Sequence, residues 1–428
     1  MKTKLLIFGI TGDLSTRKLL PALSAIKKTG DFDQVEVIGV SRREANGEDI
    51  LRSALGDISG LASLSVFTMN VANAEDYSKL RDYLSLQPDE QLLVYLSVPP
   101  TAASQIVDFM GQIGLCTDNV KILFEKPFGV DLASAQQVIE QAAKYYQESQ
   151  IYRIDHYLAK EMAQNIVAFR GGNALFTHIW DNASIEKIEL RATETIGIEG
   201  RAGFYEQTGA LRDVLQGHLM QLLALTVMDI PSDLDWSELP KRRYEALRSI
   251  QPADPQKAVR AQYDTYETEV DNPRTLTETF VSVTLFSDNP KWKDVPLVLT
   301  TGKALSAKTT EVRIHFRKGH EAQSNCLTLH IQPNEGVEIE LFTKKPGYDR
   351  EFEAQKLAFS YPDDTVLPDA YEQVIVDAIR SHKSLFTSNS EVLESWRILQ
   401  PLLDAWSMDM TLLPKYAKGV KVEDISGR

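Results

Sequence analysis

The chain has 428 residues, of which 43% are hydrophobic and 25% are charged, a balance typical of globular domains. Its net charge of −14 disfavours binding to nucleic acid or to anionic membranes, so any phosphate must bind in a local basic pocket. No stretch approaches the ~20 apolar residues of a membrane span. Two distant cysteines, Cys116 and Cys326, form neither a metal motif nor a disulfide framework, and we therefore expect a protein of the reducing cytoplasm.

The first third of the chain alternates short apolar runs with helical patterns. The apolar run at the N-terminus is too short for a signal peptide and ends at a glycine-rich turn, which indicates a buried strand. Helices are predicted over Thr16–Lys28 and Leu132–Glu148. The predicted strands are Lys4–Gly9, Val35–Val40, Gln91–Ser97 and Val120–Glu125. This order predicts a Rossmann-like parallel sheet covered by helices, in a domain of residues 1–150.

Beyond residue 150 the pattern changes to runs of consecutive strands and long amphipathic helices. A helix is predicted over Leu211–Met228 and another from Asp369 onward, whereas Pro231–Asp271 reads as loops and a helix. The predicted strands are Ile185–Thr193, Thr277–Phe286, Val295–Thr300, Glu311–Phe316, Cys326–Gln332 and Val337–Thr343. The fold class is therefore α/β plus α+β, with a larger C-terminal domain, residues 151–428, built on a mainly antiparallel sheet covered by helices.

A glycine-containing loop separates the first strand from the first helix, where dinucleotide phosphates bind in many α/β enzymes. Its spacing is Gly-x-x-Gly, which alone is also compatible with an ordinary strand-to-helix turn. The candidate cofactor residues in this loop are Gly9, Thr11, Gly12, Asp13 and Leu14.

The second strand ends in Ser41-Arg42-Arg43, where NAD enzymes usually carry an acid for the ribose 2′-hydroxyl. A guanidinium at this place can bind a 2′-phosphate with two hydrogen bonds, and the Ser41 hydroxyl can add a third. The pattern favours NADP, with NAD as a weaker alternative. The other interpretation of Arg42 is a solvated side chain at the end of a strand.

Two further runs end predicted parallel strands and contain proline. They are Tyr95-Leu96-Ser97-Val98-Pro99-Pro100 and Glu125-Lys126-Pro127-Phe128-Gly129. Lys126 at such a strand end can reach a nicotinamide ribose and a substrate. An ordinary proline stop would produce the same pattern.

The most specific segment is Arg153-Ile154-Asp155-His156-Tyr157-Leu158-Ala159-Lys160-Glu161, and at this point the chain resembles the glucose-6-phosphate dehydrogenase family. The resemblance extends over nearly the whole length, in conserved order and spacing. The runs that carry it are Gly9–Leu14, Glu125–Gly129, Glu194–Glu199, Gly209–Asp213, His218-Leu219, Asp288-Asn289, Thr301–Lys303 and Ile331–Gly336.

The resemblance implies a base and its partner. Oxidation of a cyclic hemiacetal needs a base for the C1 hydroxyl and a hydride acceptor, but no metal, and a neutral histidine suits the base role near pH 7. By resemblance the base is His218, and Asp155 holds its second ring nitrogen. The residues alone leave a structural role open, because His218 lies beside a leucine-rich helix face.

The same resemblance assigns the remaining site residues. It implies that His156, Tyr157 and Lys160 bind the 6-phosphate, although without it the segment reads as a solvated helix start. Sugar contacts are implied for Glu194, Asp213, Lys303 and Lys308, and cofactor contacts for Arg42, Tyr95 and Lys126.

Three positions depart from the family pattern. Ala159 stands where glycine is usual, Gly217 where asparagine precedes the base, and Thr300 where arginine is common; the C-terminus also lacks the usual Trp-Gly-Pro. The expected reaction is oxidation of glucose 6-phosphate to its lactone with NADP. The alternatives are the same chemistry on another phosphorylated aldose and a non-catalytic sugar-phosphate-binding protein. The resemblance also implies a homodimer or homotetramer.

Overall fold

The computed structural model describes residues 2–61, 63–319, 324–362 and 364–427. The strands are β1 Lys2–Phe8, β2 Val35–Ser41, β3 Ser65–Thr68, β4 Glu90–Leu96, β5 Val120–Phe124, β6 Ile151–Ile154, β7 Ile185–Thr193, β8 Ala258–Tyr263, β9 Phe280–Leu285, β10 Leu297–Gly302, β11 Thr309–Phe316, β12 Cys326–Gln332, β13 Gly336–Lys344, β14 Phe352–Ser360, β15 Phe386–Thr387 and β16 Lys415–Tyr416.

The α-helices are α1 Leu20–Lys28, α2 Gly47–Leu55, α3 Ala74–Leu84, α4 Pro100–Gln112, α5 Leu132–Ala143, α6 Glu161–Gly172, α7 Ala174–Thr177, α8 Ala202–Ala210, α9 Met220–Val227, α10 Leu239–Arg248, α11 Tyr266–Glu269, α12 Ala370–Arg380, α13 Asn389–Met408 and α14 Val422–Ser426. Two segments are π-helical, Ser15–Leu19 and Leu211–Leu219. None of the helices formed by the described residues has the length and hydropathy needed to span a membrane.

The first compact unit is built on a seven-stranded sheet in the order β15-β6-β5-β4-β1-β2-β3. All neighbours pair in parallel except β15, which runs antiparallel to β6. Strands on either side of β1 are reached by helical crossovers, the arrangement of a Rossmann-like sheet. The strands are nearly continuous apolar runs because helices cover both faces, and Leu20, Leu23 and Ile26 of α1 are part of that core.

This unit is not a continuous stretch of chain. It comprises Met1–Ala159 and Pro368–Val392, and the second unit comprises Lys160–Leu367 and Leu393–Arg428. The compact units differ in two ways from the expected domains 1–150 and 151–428, with their boundary near residue 150. Strand β6 pairs with β5 and so belongs to the first sheet, and α12 buries Val374 and Ile375 in the core of the first unit.

The second unit is built on a nine-stranded sheet in the order β14-β13-β12-β11-β7-β10-β9-β8-β16. Only the β7–β10 and β8–β16 pairs are parallel, so the sheet is mainly antiparallel, as expected from the runs of strands. Helix α6 contacts β12, and the π-helical segment Leu211–Leu219 contacts β7, β9 and β10. The predicted fold class is confirmed.

Several elements differ from the predictions. The predicted helix Leu211–Met228 is a π-helical segment followed by α9, and the predicted helix from Leu132 ends at Ala143. The region Pro231–Asp271, expected to contain loops and a helix, also contains strand β8. Strand β14 was not predicted, because most of its side chains are exposed and it lacks an apolar alternation.

Candidate active site

The loop after β1 lies close to the end of β4. Gly9 has φ of +82°, and a Cβ atom built there would lie 2.1 Å from the Ser97 carbonyl oxygen, so only glycine fits. The Gly12 N–H donates to the Gly9 carbonyl at 2.9 Å, and the Ser15 hydroxyl donates to the same oxygen at 2.9 Å. The loop is therefore a tight turn that requires glycine at position 9.

A cavity of about 350 Å³ opens beside this loop, within the first unit. Its lining brings together the predicted residues Gly9, Thr11, Gly12, Ser41 and Arg42. It lies at the carboxyl ends of β1, β2 and β4, where the strand order reverses, which is the usual position for nucleotides in such sheets. The lining also includes Val71, Ser97, Val98, Pro99 and Ala102.

The charges at the rim of this cavity suit an anion. In the part of the chain that the structure describes, neither Arg42 nor Arg43 has an ion-pair partner, and both are exposed. Asp13, in contrast, is exposed and pairs with Arg17 at 2.6 Å, and Leu14 packs against the core. Of the predicted loop residues, Asp13 and Leu14 are not part of the cavity lining.

A half-buried acid lies next to Lys126. The Tyr95 hydroxyl donates to Glu125 Oε1 at 2.5 Å, and the Tyr95 side chain is fully buried. Burial raises the pKa of Glu125 to about 7, the Tyr95 hydrogen bond and Lys126 oppose that rise, and Asp155 adds to it. Burial also raises the pKa of Tyr95 well above its ordinary value, with a smaller contribution from Glu125. Sequence reasoning missed Glu125, although it precedes Lys126 in the proline-containing run.

The segment after β6 forms a turn stabilised by Asp155. This residue is 1% exposed, and its Oδ1 accepts the Tyr157 N–H at 2.9 Å. The His156 ring stacks on Tyr371 with a centroid separation of 6.2 Å and contacts Tyr157 edge-on at 5.1 Å. The three predicted residues Asp155, His156 and Tyr157 are therefore held in one rigid turn of the first unit.

In the second unit, two predicted sugar-binding residues form an ion pair. Lys303 Nζ donates to Glu194 Oε2, and the Lys303 side chain is 4% exposed whereas that of Glu194 is 36% exposed. The Lys303 ammonium also lies 5.3 Å from the centroid of the Tyr205 ring. Burial raises the pKa of Tyr205 well above its ordinary value, and Asp213 and Glu278 add to the effect. Tyr205 was not identified from the sequence.

Asp213 and His218 lie on the same π-helical segment, Leu211–Leu219. In a helix with i→i+5 hydrogen bonds, residues five apart are neighbours along one side, whereas an ordinary α-helix would turn them apart. His218 is buried at 5% exposure.

Lys160 precedes α6, and its carbonyl accepts the Ala163 and Gln164 N–H groups. Lys308 is exposed before β11 and, within the described ranges, has no ion-pair partner.

The resemblance pairs Asp155 with His218. The two residues belong to different units, and their pairing stays a prediction.

Two family models match successive parts of the chain. The first is described as glucose-6-phosphate dehydrogenase, NAD binding domain, and matches residues 6–165; the second is described as glucose-6-phosphate dehydrogenase, C-terminal domain, and matches residues 167–424. The chain belongs to the glucose-6-phosphate dehydrogenase family.

Relatives of the family agree over nearly the full length. The chain is 35% identical to glucose-6-phosphate 1-dehydrogenase of Chlamydia muridarum (strain MoPn / Nigg), over 97% of this chain and 92% of that protein. It is 34% identical to glucose-6-phosphate 1-dehydrogenase of Bacillus subtilis (strain 168), over 98% of this chain and 94% of that protein.

Solved structures of the glucose-6-phosphate dehydrogenase family have the same fold. One, in complex with its substrate glucose-6-phosphate, aligns with a TM-score of 0.92 at 28% identity, over 99% of this chain and 96% of that one. Glucose-6-phosphate 1-dehydrogenase from Mycobacterium avium aligns with a TM-score of 0.88 at 30% identity, over 98% and 94% of the two chains.

Two departures from the glucose-6-phosphate dehydrogenase family pattern have a structural setting. Thr300 is buried opposite Ser282 in the sheet, and their hydroxyl groups lie 2.9 Å apart, so a neutral pair occupies this position. Ala159 is 3% exposed, and its methyl group packs in the core of the first unit. The Thr300 hydroxyl therefore has a hydrogen-bond partner, and the Ala159 methyl group has apolar neighbours.

Proposed function

We propose that this protein oxidises glucose 6-phosphate at C1 to 6-phosphoglucono-1,5-lactone and reduces NADP to NADPH. The observation that carries the proposal is the match of both family models, which together span residues 6–424. Two further observations support the proposal. The cavity beside Arg42 can accept a phosphorylated cofactor in the first unit, and the Glu194–Lys303 ion pair offers polar groups to a sugar in the second unit.

The residues of the first unit fit a dinucleotide phosphate. Gly9, Thr11 and Gly12 line the cavity where a pyrophosphate would bind, and Ser41 and Arg42 offer a hydroxyl and a guanidinium for a 2′-phosphate. Lys126 is proposed to contact the nicotinamide side. Because the Tyr95 hydroxyl is occupied by Glu125, we propose that Tyr95 acts on the cofactor indirectly, by fixing Glu125 beside Lys126.

The proposed chemistry requires transfer of a hydride from C1 of the sugar and of a proton from its C1 hydroxyl. When bound, NADP supplies the acceptor for the hydride. His218 takes the proton of the C1 hydroxyl, and Asp155 orients the imidazole and stabilises its charged form, as an aspartate does beside a histidine in hydrolase triads. The lone pair of the sugar ring oxygen stabilises the positive charge that develops at C1 as the hydride leaves. These two roles rest on the family resemblance of His218 and Asp155.

The remaining residues are proposed to bind the sugar phosphate. His156, Tyr157 and Lys160 bind the 6-phosphate, and Asp213, Glu194, Lys303 and Lys308 bind the sugar side. Support comes from the Glu194–Lys303 pair, in which an acceptor and a cation are already held together. On a chain with a net charge of −14, these lysines provide the local positive charge that a phosphorylated substrate needs.

The test is absorbance at about 340 nm, where reduced nicotinamide absorbs, with glucose 6-phosphate and either NADP or NAD over a range of concentrations. A rise at low NADP supports both the reaction and the Arg42 assignment. A rise with NAD alone keeps the reaction and contradicts the Arg42 assignment. If absorbance rises with neither cofactor but rises with another phosphorylated aldose, the reaction type is kept and glucose 6-phosphate is rejected as the substrate.

We also propose a homodimer or homotetramer located in the cytoplasm. Exposed apolar side chains on β13 and on the edge strand β14 support the assembly, because a second copy could cover them; they are Leu341, Leu357 and Phe359 on one face and Phe352 on the other. Light scattering after size-exclusion chromatography measures the mass, and a monomer at micromolar concentration would contradict the proposal. The two cysteines are free, which is compatible with a reducing compartment.

A further inference from the structure

A break in the chain precedes the helix that carries Asp213 and His218. Helix α8 ends where Gly209 adopts φ of +62° and ψ of 179°, and the π-helical segment begins at Leu211. The first N–H groups of any helix lack partners within it. Ala210, at the capping position, has no side chain that could accept them. This helix start therefore needs an acceptor from elsewhere in the fold.

Glu278 provides that acceptor twice. Its carbonyl oxygen accepts the Ala210 N–H at 2.9 Å, and its carboxylate Oε1 accepts the Leu211 N–H at 3.0 Å. A Cβ atom built on Gly209 would lie 2.4 Å from the same Oε1, so the glycine makes room for the carboxylate. A carboxylate at a helix N-terminus also interacts favourably with the helix dipole.

The neighbour of Glu278 holds a second part of the site. The Thr279 carbonyl accepts the Lys303 N–H at 2.9 Å. The Tyr416 hydroxyl lies 2.9 Å from the Thr279 hydroxyl and donates to the Lys303 carbonyl at 2.7 Å. Two consecutive residues before β9 therefore connect the start of the Asp213–His218 helix to the backbone of Lys303.

Burial makes this carboxylate sensitive to its partners. Glu278 is 6% exposed, and burial raises its pKa, while the Leu211 N–H and the charges of Arg212 and Arg260 oppose the rise. A buried carboxylate is costly unless it is hydrogen-bonded, and the Leu211 N–H is the partner that offsets this cost.

We propose that Glu278 is a positioning residue for the reaction: it fixes the start of the Leu211–Leu219 helix and, through it, the placement of Asp213 and His218. The proposal rests on the proposed function of this same site. It predicts that loss of the carboxylate impairs both sugar binding and turnover, since Asp213 and His218 move together, and leaves the NADP site in the first unit unaffected.

The test compares Glu278→Ala and Glu278→Gln with Glu311→Ala as a matched control. Glu311 is a buried carboxylate of the same unit, at 3% exposure, and pairs with Arg313 at 2.7 Å on strand β11. Kinetics are normalised to the folded fraction of each variant. Glu278→Ala should lower kcat/KM for glucose 6-phosphate by roughly 10–100-fold, as expected for a small misplacement of reacting groups, with the KM for NADP unchanged. Glu278→Gln retains an acceptor for the Leu211 N–H and should recover most of the loss.

Hydrogen exchange gives a second readout that does not depend on activity. Deuterium uptake by peptides that cover residues 209–219 should increase in Glu278→Ala and not in Glu311→Ala. The proposal is overturned if Glu278→Ala and Glu311→Ala have the same normalised kinetics. It is also overturned if kcat/KM of Glu278→Gln is as low as that of Glu278→Ala, or if deuterium uptake by residues 209–219 is unchanged in Glu278→Ala. An inactive wild-type protein would instead reject the proposed function itself, and with it this role for Glu278.

Discussion

At the scale of single residues, acids in this protein acquire their properties from burial and from a specific hydrogen bond. Glu125 accepts from Tyr95, Asp155 accepts from the Tyr157 N–H, and Glu278 accepts from the Leu211 N–H. Each bond fixes the direction of one carboxylate oxygen. Lys126, proposed for cofactor contact, directly follows Glu125, and His156, proposed for phosphate contact, directly follows Asp155.

The proposed base is tested by His218→Asn. Loss of the general base should reduce kcat by about 10²–10⁴-fold, while the KM for glucose 6-phosphate changes little, because asparagine can still hydrogen-bond. Steady-state kinetics measure both constants. His178→Asn, at an exposed position, is the control. Unimpaired turnover in the His218 variant would remove this residue from the base role.

The proposed 2′-phosphate contact is tested by Arg42→Ala. The KM for NADP should rise by roughly tenfold or more, since a charge-assisted hydrogen bond contributes about 1.5–3 kcal/mol, and the KM for NAD should change much less. Arg43→Ala is the neighbouring control, because both arginines are exposed but only Arg42 lines the cavity. An equal rise for both cofactors would contradict a 2′-phosphate contact.

At the scale of elements, the sequence predicts buried strands well and irregular helices poorly. Strands such as β1, β4 and β7 were predicted because their apolar runs or alternations follow directly from burial. The π-helical start at Leu211 was not, because the leucine periodicity fits an α-helix equally and the break depends on Glu278, which is 67 residues away in sequence. The same holds for the candidate site. Residues in local sequence motifs were predicted, whereas Glu125, Tyr205 and Glu278 were identified only from their contacts in the structure.

The break before this helix is tested by Gly209→Ala. Alanine in the conformation of Gly209, φ of +62° and ψ of 179°, costs about 1–3 kcal/mol, and here its Cβ would also collide with the Glu278 carboxylate. We expect lower thermal stability and lower kcat/KM for glucose 6-phosphate. Gly200→Ala is the matched control, since Gly200 has φ of +76° and its Cβ would meet no atom within 4 Å. If both variants behave alike, the contact with Glu278 has no separate importance.

A pH-dependent contribution to stability is expected at the edge formed by β6 and β15. Lys383 Nζ donates to the carbonyls of Glu148 and Ile151 and lies 3.6 Å from the centroid of the Tyr152 ring. Burial lowers its pKa to about 7, with Glu148 opposing the shift and Arg153 and Lys121 adding to it.

Proton binding by Lys383 determines whether the free energy of unfolding rises or falls with pH. Between about pH 7 and pH 10 the unfolded chain retains the Lys383 proton that the folded protein has lost, so the free energy of unfolding rises with pH. The slope from one group is at most about 1.4 kcal/mol per pH unit. Urea unfolding of wild type and Lys383→Met at pH 7 and pH 9 measures it. The variant should show a smaller increase between the two pH values, and an identical increase would contradict the lowered pKa.

At the scale of the whole molecule, the two compact units are each assembled from two segments of the chain. The sequence indicated two domains but placed a single boundary near residue 150, because periodicity shows where strands and helices alternate and not which sheet a later helix joins. Helix α12 joins the first unit through Lys121, whose Nζ donates to the Ala378 carbonyl at 2.8 Å and to the Ser381 hydroxyl at 2.7 Å.

Separate expression of the first unit tests this assembly. Residues 1–159 alone should fail to unfold cooperatively, because they lack the side chains of Val374, Ile375, Ala378 and Phe386, and full burial of a large apolar side chain contributes roughly 1.5–3 kcal/mol. Adding 368–392 through a flexible linker should restore a cooperative transition in circular dichroism. Equal cooperativity of the two fragments would contradict a structural role for the returning segment.

The two-segment construction of the first unit also sets an order of events during synthesis on the ribosome. Residue 392 is made 392 − 159 = 233 residues after the end of the first segment. At about 5–20 residues per second, this interval lasts roughly 10–50 s. Throughout that time the nascent first unit lacks α12 and β15, so the apolar side chains that they cover stay exposed to aggregation during this stretch of translation.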